Sequence, residues 1–271
     1  MRIYISIDME GLTGISSVNQ TDPSHRRYEE GIFFMKSELR FILEYLRTKN
    51  VKKVLVNDAH WNMDNLNLKD LNFEFLELIS GSPKILSMMH GINEGFDYAM
   101  FIGYHSMANT INGFLEHTYS SYTISEIKIN GKKSSEAYIN GLIASYYNVP
   151  VGLISGDDKL IEDCKDIFPN SEFVITKYSI SRNSVKLRNI ESVYNEYKSA
   201  IDRMLSKNIR PIELPKEFTI EITFRRTDMA DIVEILPIIE RIDGNKVLFK
   251  ETDFLRAFRY IRVVINLARN V

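Results

Sequence analysis

Alternation of strand and helix patterns along most of the chain predicts an α/β fold: a three-layer α/β/α sandwich on a largely parallel sheet, followed by a small C-terminal α+β unit. Three observations carry that expectation. Short apolar runs with strand character recur between long stretches of helical spacing, the mark of parallel sheets covered on both faces. Three of those runs end in Asp or His, at the edge where open α/β sheets bind ligands. After residue 208 the pattern changes to a strand-like segment, a short helix, a hairpin and a terminal helix.

The first strand opens the chain. Ile3, Ile5 and Ile7 alternate with Arg2, Tyr4 and Ser6, the period of a strand, and the run ends in Asp8-Met9-Glu10-Gly11. Side chains two apart on an extended segment point to one side, so Asp8 and Glu10 face the same place. Two carboxylates held together repel and call for a proton, a cation or a metal between them. A polar loop with Asp22-Pro23 leads to a helical pattern from Tyr28 to Thr48, with Ile32, Met35, Leu39, Ile42, Leu43 and Leu46 near helical spacing. Val54-Leu55-Val56 is the second strand and ends in Asn57-Asp58-Ala59-His60. Residues 84–96 mix loop and helix signals, and the strand 98–102 ends in Gly103-Tyr104-His105. Asp8, Glu10, His60 and His105 are thereby expected at one edge of the sheet.

Residues 122–129 alternate as a further strand, and Asn130-Gly131 is a type I′ hairpin signal. Ser134 or Ser135 then suits the N-cap of a helix beginning at Glu136. A Glu in a first turn is favoured by the helix dipole, a local reason for Glu136 that is compatible with a ligand role. Val151 to Ile154 is a strand, Asp157-Asp158 suit a cap for the helix 159–167, and Phe173 to Thr176 is one more strand. A helix over 190–207 and a proline-containing linker over 209–215 follow. The domains expected are a catalytic unit over 1–208 and a packing or oligomerisation unit over 209–271. In the second, 218–224 reads as a strand, 229–236 as a helix, 239–249 as a hairpin around Asp243-Gly244, and 253–268 as a terminal helix.

Composition sets limits. The 271 residues are 44% hydrophobic and 26% charged, ordinary values for a globular protein. A net charge of −2 offers no footprint for nucleic acid or an anionic membrane. Cys164 is the only cysteine, which excludes an intrachain disulfide and a thiolate zinc site. No apolar run approaches the roughly 18 residues of a membrane span, no leader pattern stands at the amino end, and the cytoplasm is the compartment expected.

Taken in order, Ser6-Ile7-Asp8-Met9-Glu10-Gly11, Val56-Asn57-Asp58-Ala59-His60, Gly103-Tyr104-His105, Glu116-His117-Thr118 and Gly156-Asp157-Asp158 make the chain resemble the zinc-dependent D-aminopeptidases of bacterial dipeptide-transport operons. The likeness extends over the whole chain, Ser179-Ile180-Ser181-Arg182 included. It implies two Zn²⁺ per chain held by Asp8, Glu10, His60, His105 and Glu136, with Asp8 as the bridge, and His117 as the catalytic residue outside the metal shell. It further implies a short peptide substrate and a ring-like homo-oligomer. Two departures stand out: Glu116 occupies a place where Ser or Ala is common before the catalytic His, and Ser135 a place where Gly often precedes the last ligand.

The chemistry of that donor set agrees. Two imidazoles and three carboxylates, one shared, can hold two divalent ions about 3.5–4 Å apart. Nitrogen and oxygen donors suit Zn²⁺, and also Mn²⁺, Co²⁺ or Fe²⁺. The alternatives are a binuclear phosphoesterase, which would want Arg or Lys beside the ligand motifs, and a non-catalytic peptide- or metal-binding protein. Asp58 is either an orienter for His60 or a turn aspartate. His25, beside Arg26 and Arg27, and His90, before Gly91, read as a surface and a turn residue. Lys132, Lys133 and Arg182 read as solvated rather than as carboxylate binders.

Overall fold

The computed structural model describes residues 1–271. Its main sheet is built from β1 (Arg2–Ile7), β2 (Lys53–Asp58), β3 (Leu76–Ile79), β4 (Tyr98–Tyr104), β7 (Val151–Asp157), β8 (Glu172–Ser181) and β9 (Ser184–Leu187). The spatial order is β3-β2-β1-β4-β7-β8-β9, and every pairing is parallel except that of β9 with β8. The chain builds outward from β1 through β2 to β3, then returns to the other side of β1 as β4. The switch point between β1 and β4 is where such a sheet leaves a crevice at its carboxyl edge.

Helices α1 (Tyr28–Arg47) and α4 (Ile190–Ser206) cover one face, where Ile3, Ile5, Ile7, Leu39, Leu43, Tyr197 and Ile201 share a buried cluster. The opposite face, with Tyr4, Leu55 and Phe101, packs against α2 (Glu136–Tyr146) and α3 (Asp158–Cys164). The expected polar face of β1 is buried too. Tyr4 and Ser6 are fully enclosed, which their hydroxyls tolerate by donating to the carbonyls of His90 at 2.9 Å and Met88 at 2.7 Å. A central strand of a parallel sheet is covered on both faces, and alternation on it marks chemistry rather than exposure.

The second sheet brings distant segments together. β5 (Ile124–Ile129) and β6 (Lys132–Lys133), the hairpin before α2, join β10 (Phe218–Phe224), β11 (Glu240–Asp243) and β12 (Lys246–Glu251) in the order β11-β12-β10-β5-β6. Asn130 and Gly131 both take positive φ, 52° and 77°, as a type I′ turn requires. The sheet unites the hairpin with segments after residue 209, pairing Ile220 with Ile129 and Ile222 with Ile127. Two helices, α5 (Thr227–Val233) and α6 (Phe254–Ala268), complete this part, and Phe258, Ile261 and Ile265 of α6 lie in the same core cluster as Phe101 and Leu142. Expected and observed helices differ by a few residues at their ends, and β3 is a short edge strand that sequence pattern did not single out.

Asp163, on α3, is pushed up to about 6 by burial, opposed by the Met107 amide and reinforced by Asp157 and Glu162. Its unfolded value is lower, so the folded state binds the extra proton between about pH 4 and 6 and loses stability as pH rises through that window. Asp163→Asn is expected to stabilise the protein by roughly 1–3 kcal/mol at pH 8 and by almost nothing at pH 4. Thermal unfolding of both proteins at the two pH values checks it; an equal shift at both would refute the charge argument.

Candidate metal centre

Each donor arises just past a strand end or at a helix start. Asp8 and Glu10 follow β1, His60 follows β2, His105 follows β4 directly, and Glu136 is the first residue of α2. All five are buried. Close contact between the chain leaving β1 and the end of β4 brings them together: the Asp8 amide donates to the Ile102 carbonyl and the Gly11 amide to the Gly103 carbonyl, each at 2.8 Å. A Cβ on Gly11 would sit 1.8 Å from the Tyr104 carbonyl oxygen, so no other residue fits there.

Asp8 spans two groups of donors. Its Oδ1 lies 3.2 Å from His60 Nδ1, which is also 3.1 Å from Glu10 Oε2. Its Oδ2 lies 3.5 Å from His105 Nε2, which is 3.7 Å from Glu136 Oε1. His117 Nε2 is 3.7 Å from the same Glu136 oxygen, and its ring stacks on that of His105 with centroids 4.0 Å apart. The donors thus form two trios, Asp8-Glu10-His60 and His105-His117-Glu136.

The three imidazoles are aimed by backbone carbonyls. His60 Nε2 meets the Thr21 carbonyl at 2.8 Å, His105 Nδ1 that of Ser106 at 3.0 Å and His117 Nδ1 that of Leu115 at 2.9 Å. A carbonyl only accepts, so these nitrogens carry the proton and the other nitrogen of each ring turns toward the carboxylates, the arrangement that metal-ligating histidines use. Asp58 does not touch the His60 ring. It accepts the Asn65 and Leu66 amides at 2.6 and 2.9 Å, while Asn65 Nδ2 bonds both Asp58 and the His60 carbonyl, so Asp58 shapes the loop after His60. Asp157 caps α3 and accepts the Ser106 amide at 3.1 Å, which steadies the turn beside His105.

Electrostatics favour a cation here. Burial and the charge of Glu10 raise the Asp8 carboxyl to about 6. Burial acts to raise Glu10 as well, but the charge and hydrogen bond of His60 outweigh it and hold Glu10 well below its usual range. Burial raises Glu136. Burial opposes charge on His60 and His117, yet the carboxylates prevail and raise both, whereas burial and the neighbouring His117 lower His105. His105 Nε2 is buried without a hydrogen-bond partner, an arrangement that a bound cation resolves. Three carboxylates carry −3 with neutral imidazoles, a charge that one divalent ion leaves negative and two overcompensate by one. The residues fit a pair of divalent ions.

Two supports lay outside the sequence reading. Lys177, fully buried on β8, donates to the carbonyls of Glu10 at 2.6 Å and Ile15 at 2.8 Å, and burial pushes it down to about 7. Glu38 of α1 accepts the Thr13 amide at 2.8 Å and the Tyr197 hydroxyl at 2.5 Å, fixing the same loop. A lysine within a strand and a glutamate on a helix carry no signal until the fold places a loop against them. His25 lies outside the cluster, its Nδ1 accepting the Arg27 amide, and His90 sits in the turn before Gly91.

This site and this fold are those of a metal-dependent peptidase. The D-aminopeptidase family model matches residues 1–263, and the chain belongs to that family. It is 31% identical to a D-aminopeptidase of Bacillus subtilis over 271 residues, covering 99% of this chain and 98% of that protein. It superposes with a TM-score of 0.94, at 30% identity, on the solved structure of the zinc-dependent D-aminopeptidase DppA from Bacillus subtilis, described as a self-compartmentalizing protease, covering 100% of this chain and 99% of the other. The phosphoesterase and non-catalytic alternatives find no such support.

Proposed function

We propose that Asp8, Glu10, His60, His105 and Glu136 hold two zinc ions, with Asp8 bridging them, and that the protein removes the amino-terminal residue of short peptides, preferentially a D-residue. The observation that carries this reading is the reach of the two Asp8 oxygens to different histidines, 3.2 Å to His60 and 3.5 Å to His105. Bound there, the ions would supply Lewis acidity toward a peptide carbonyl and toward water, and an anchor for a free α-amino group. Mn²⁺, Co²⁺ or Fe²⁺ would suit the same donors.

His117 is the catalytic residue of this reading. Its side chain is 19% exposed where that of His105 is 1%, so it stands on the side of the cluster open to substrate. From there an imidazolium stabilises developing negative charge or passes a proton to the leaving amine, and a neutral ring attacks as a nucleophile. Residues 209–271 serve packing and assembly into a ring-like homo-oligomer in the cytoplasm, in keeping with the self-compartmentalizing relative. Purified protein assayed with zinc on paired D- and L-aminoacyl peptides tests the reading: faster release of the D-residue is expected, and absence of turnover on either series would overturn it.

A further inference from the structure

One residue before His117 the surface opens into a cleft of about 600 Å³ lined by Asn109, Glu116, Tyr122, Arg182, Arg225 and Arg226, among others. Arg182 occupies the turn between β8 and β9. Its carbonyl accepts the Leu115 amide at 2.9 Å, and its Nη1 lies 2.7 Å from both the carbonyl and the carboxylate of Glu116. Arg225 and Arg226 follow β10, whose pairing with β5 shifts register between Thr223 and Phe224, an irregularity that re-aims the side chains beyond it. The Arg225 amide donates to the Thr123 carbonyl at 3.0 Å, which ties this segment to the loop that carries His117.

The three guanidiniums are not equivalent. Arg226 is committed to the Asp228 carboxylate, the Tyr122 hydroxyl and the Val271 carbonyl. Arg182 is shared with Glu116. Arg225 lines the cleft with no carboxylate side chain in ion-pair range, whereas Glu116 engages Arg182 and Asp228 engages Arg226.

We propose that this cleft binds a carboxylate of the substrate distal to the scissile bond, with Arg225 supplying the free guanidinium and Arg182 sharing its own. The proposal rests on the aminopeptidase reading, in which the peptide amine sits at the metal cluster and the chain runs past His117. A guanidinium fork matches a carboxylate in two parallel hydrogen bonds. Anchoring both ends of the substrate selects short peptides at the level of the single site. It also gives Glu116 a purpose where a small residue is common: it holds Arg182 at the cleft while tempering its charge.

The test measures binding to zinc-loaded enzyme by titration calorimetry, with a D-alanyl-glycine analogue whose peptide bond is a reduced methyleneamine. Three forms are compared: the free acid, its C-terminal amide, and an amide carrying Glu in the second position. The acid is expected to bind roughly tenfold tighter than the amide, and Arg225→Gln to bring that ratio close to one. The Glu amide matching the acid would mean that any carboxylate in reach is read, and matching the plain amide that the terminal carboxylate is the ligand. Equal binding of acid and amide, or a tenfold ratio that survives Arg225→Gln, would overturn the proposal. Because the probes are not cleaved, the binding ratio decides the cleft even where turnover of ordinary peptides refutes the catalytic reading.

Discussion

Asp8→Ala is expected to empty both metal positions and to cut turnover by about a thousandfold or more. The expectation follows from where the two oxygens point. Oδ1 faces His60 and Oδ2 faces His105, so one side chain links donor groups that otherwise share nothing. Losing Glu10 or Glu136 would impoverish one position, whereas losing Asp8 withdraws a ligand from each. Elemental analysis should find about two divalent ions per wild-type chain and far fewer in the variant. Thermal unfolding supplies an independent reading. A ligand that binds only the folded state adds about 4 kcal/mol at a thousandfold excess over its dissociation constant. Zinc should therefore raise the melting temperature of the wild type strongly and that of Asp8→Ala weakly. An Asp8→Ala protein that retains two ions would exclude the bridge.

Much of this centre was legible because strand geometry does the sorting. A parallel strand places whatever follows it at the carboxyl edge, so Asp8, His60 and His105 could be assigned to one edge from three short apolar runs. Glu136 was legible for another reason. Ser135 accepts the Tyr138 amide at 3.1 Å as the helix N-cap that the sequence offered, which fixes Glu136 as the first helical residue, while its ligand role came from likeness to the family. His117 was different in kind. It lies on a loop with no period, and only likeness to a family singled it out.

What escaped the sequence is non-local. The Asn130-Gly131 turn announces a hairpin and says nothing about its neighbours, and pairing of Ile129 with Ile220 spans most of a hundred residues of chain that no local pattern encodes. Lys177 and Glu38 acquire meaning only when the loop after Glu10 is folded against them. Arg182 is exposed, in keeping with its reading as solvated, but its ion pair with Glu116 joins residues far apart in sequence and forms only where the β8–β9 turn meets that segment in the finished fold. Charged residues at such crossings carry no periodicity, and their roles emerge with the topology.

His117→Ala is expected to leave the metals and the fold in place while kcat falls by roughly a hundred- to ten-thousandfold. The geometry gives this experiment its force, because it admits a competing assignment. His117 Nε2 lies as close to Glu136 Oε1 as His105 Nε2 does, 3.7 Å in each case, and the two rings stack. A residue so placed would serve as one more ligand to the second ion, or as the group that acts on substrate beside it. With Asp8 shared, the five other donors would give each ion of the proposed pair three ligands, and His117 is the member of the cluster with an open face. Those facts favour action on substrate. A catalytic role predicts full zinc content, an unchanged zinc-induced rise in melting temperature, and lost turnover with substrate binding retained. A ligand role predicts that zinc falls toward one ion per chain along with activity. His117→Gln adds a further comparison: an amide can still donate a hydrogen bond to an oxyanion but cannot deliver a proton. Partial recovery of kcat over the alanine variant would assign His117 to charge stabilisation, and none would assign it to proton transfer or attack. Near-normal kcat in a fully loaded His117→Ala enzyme would remove it from the chemistry altogether.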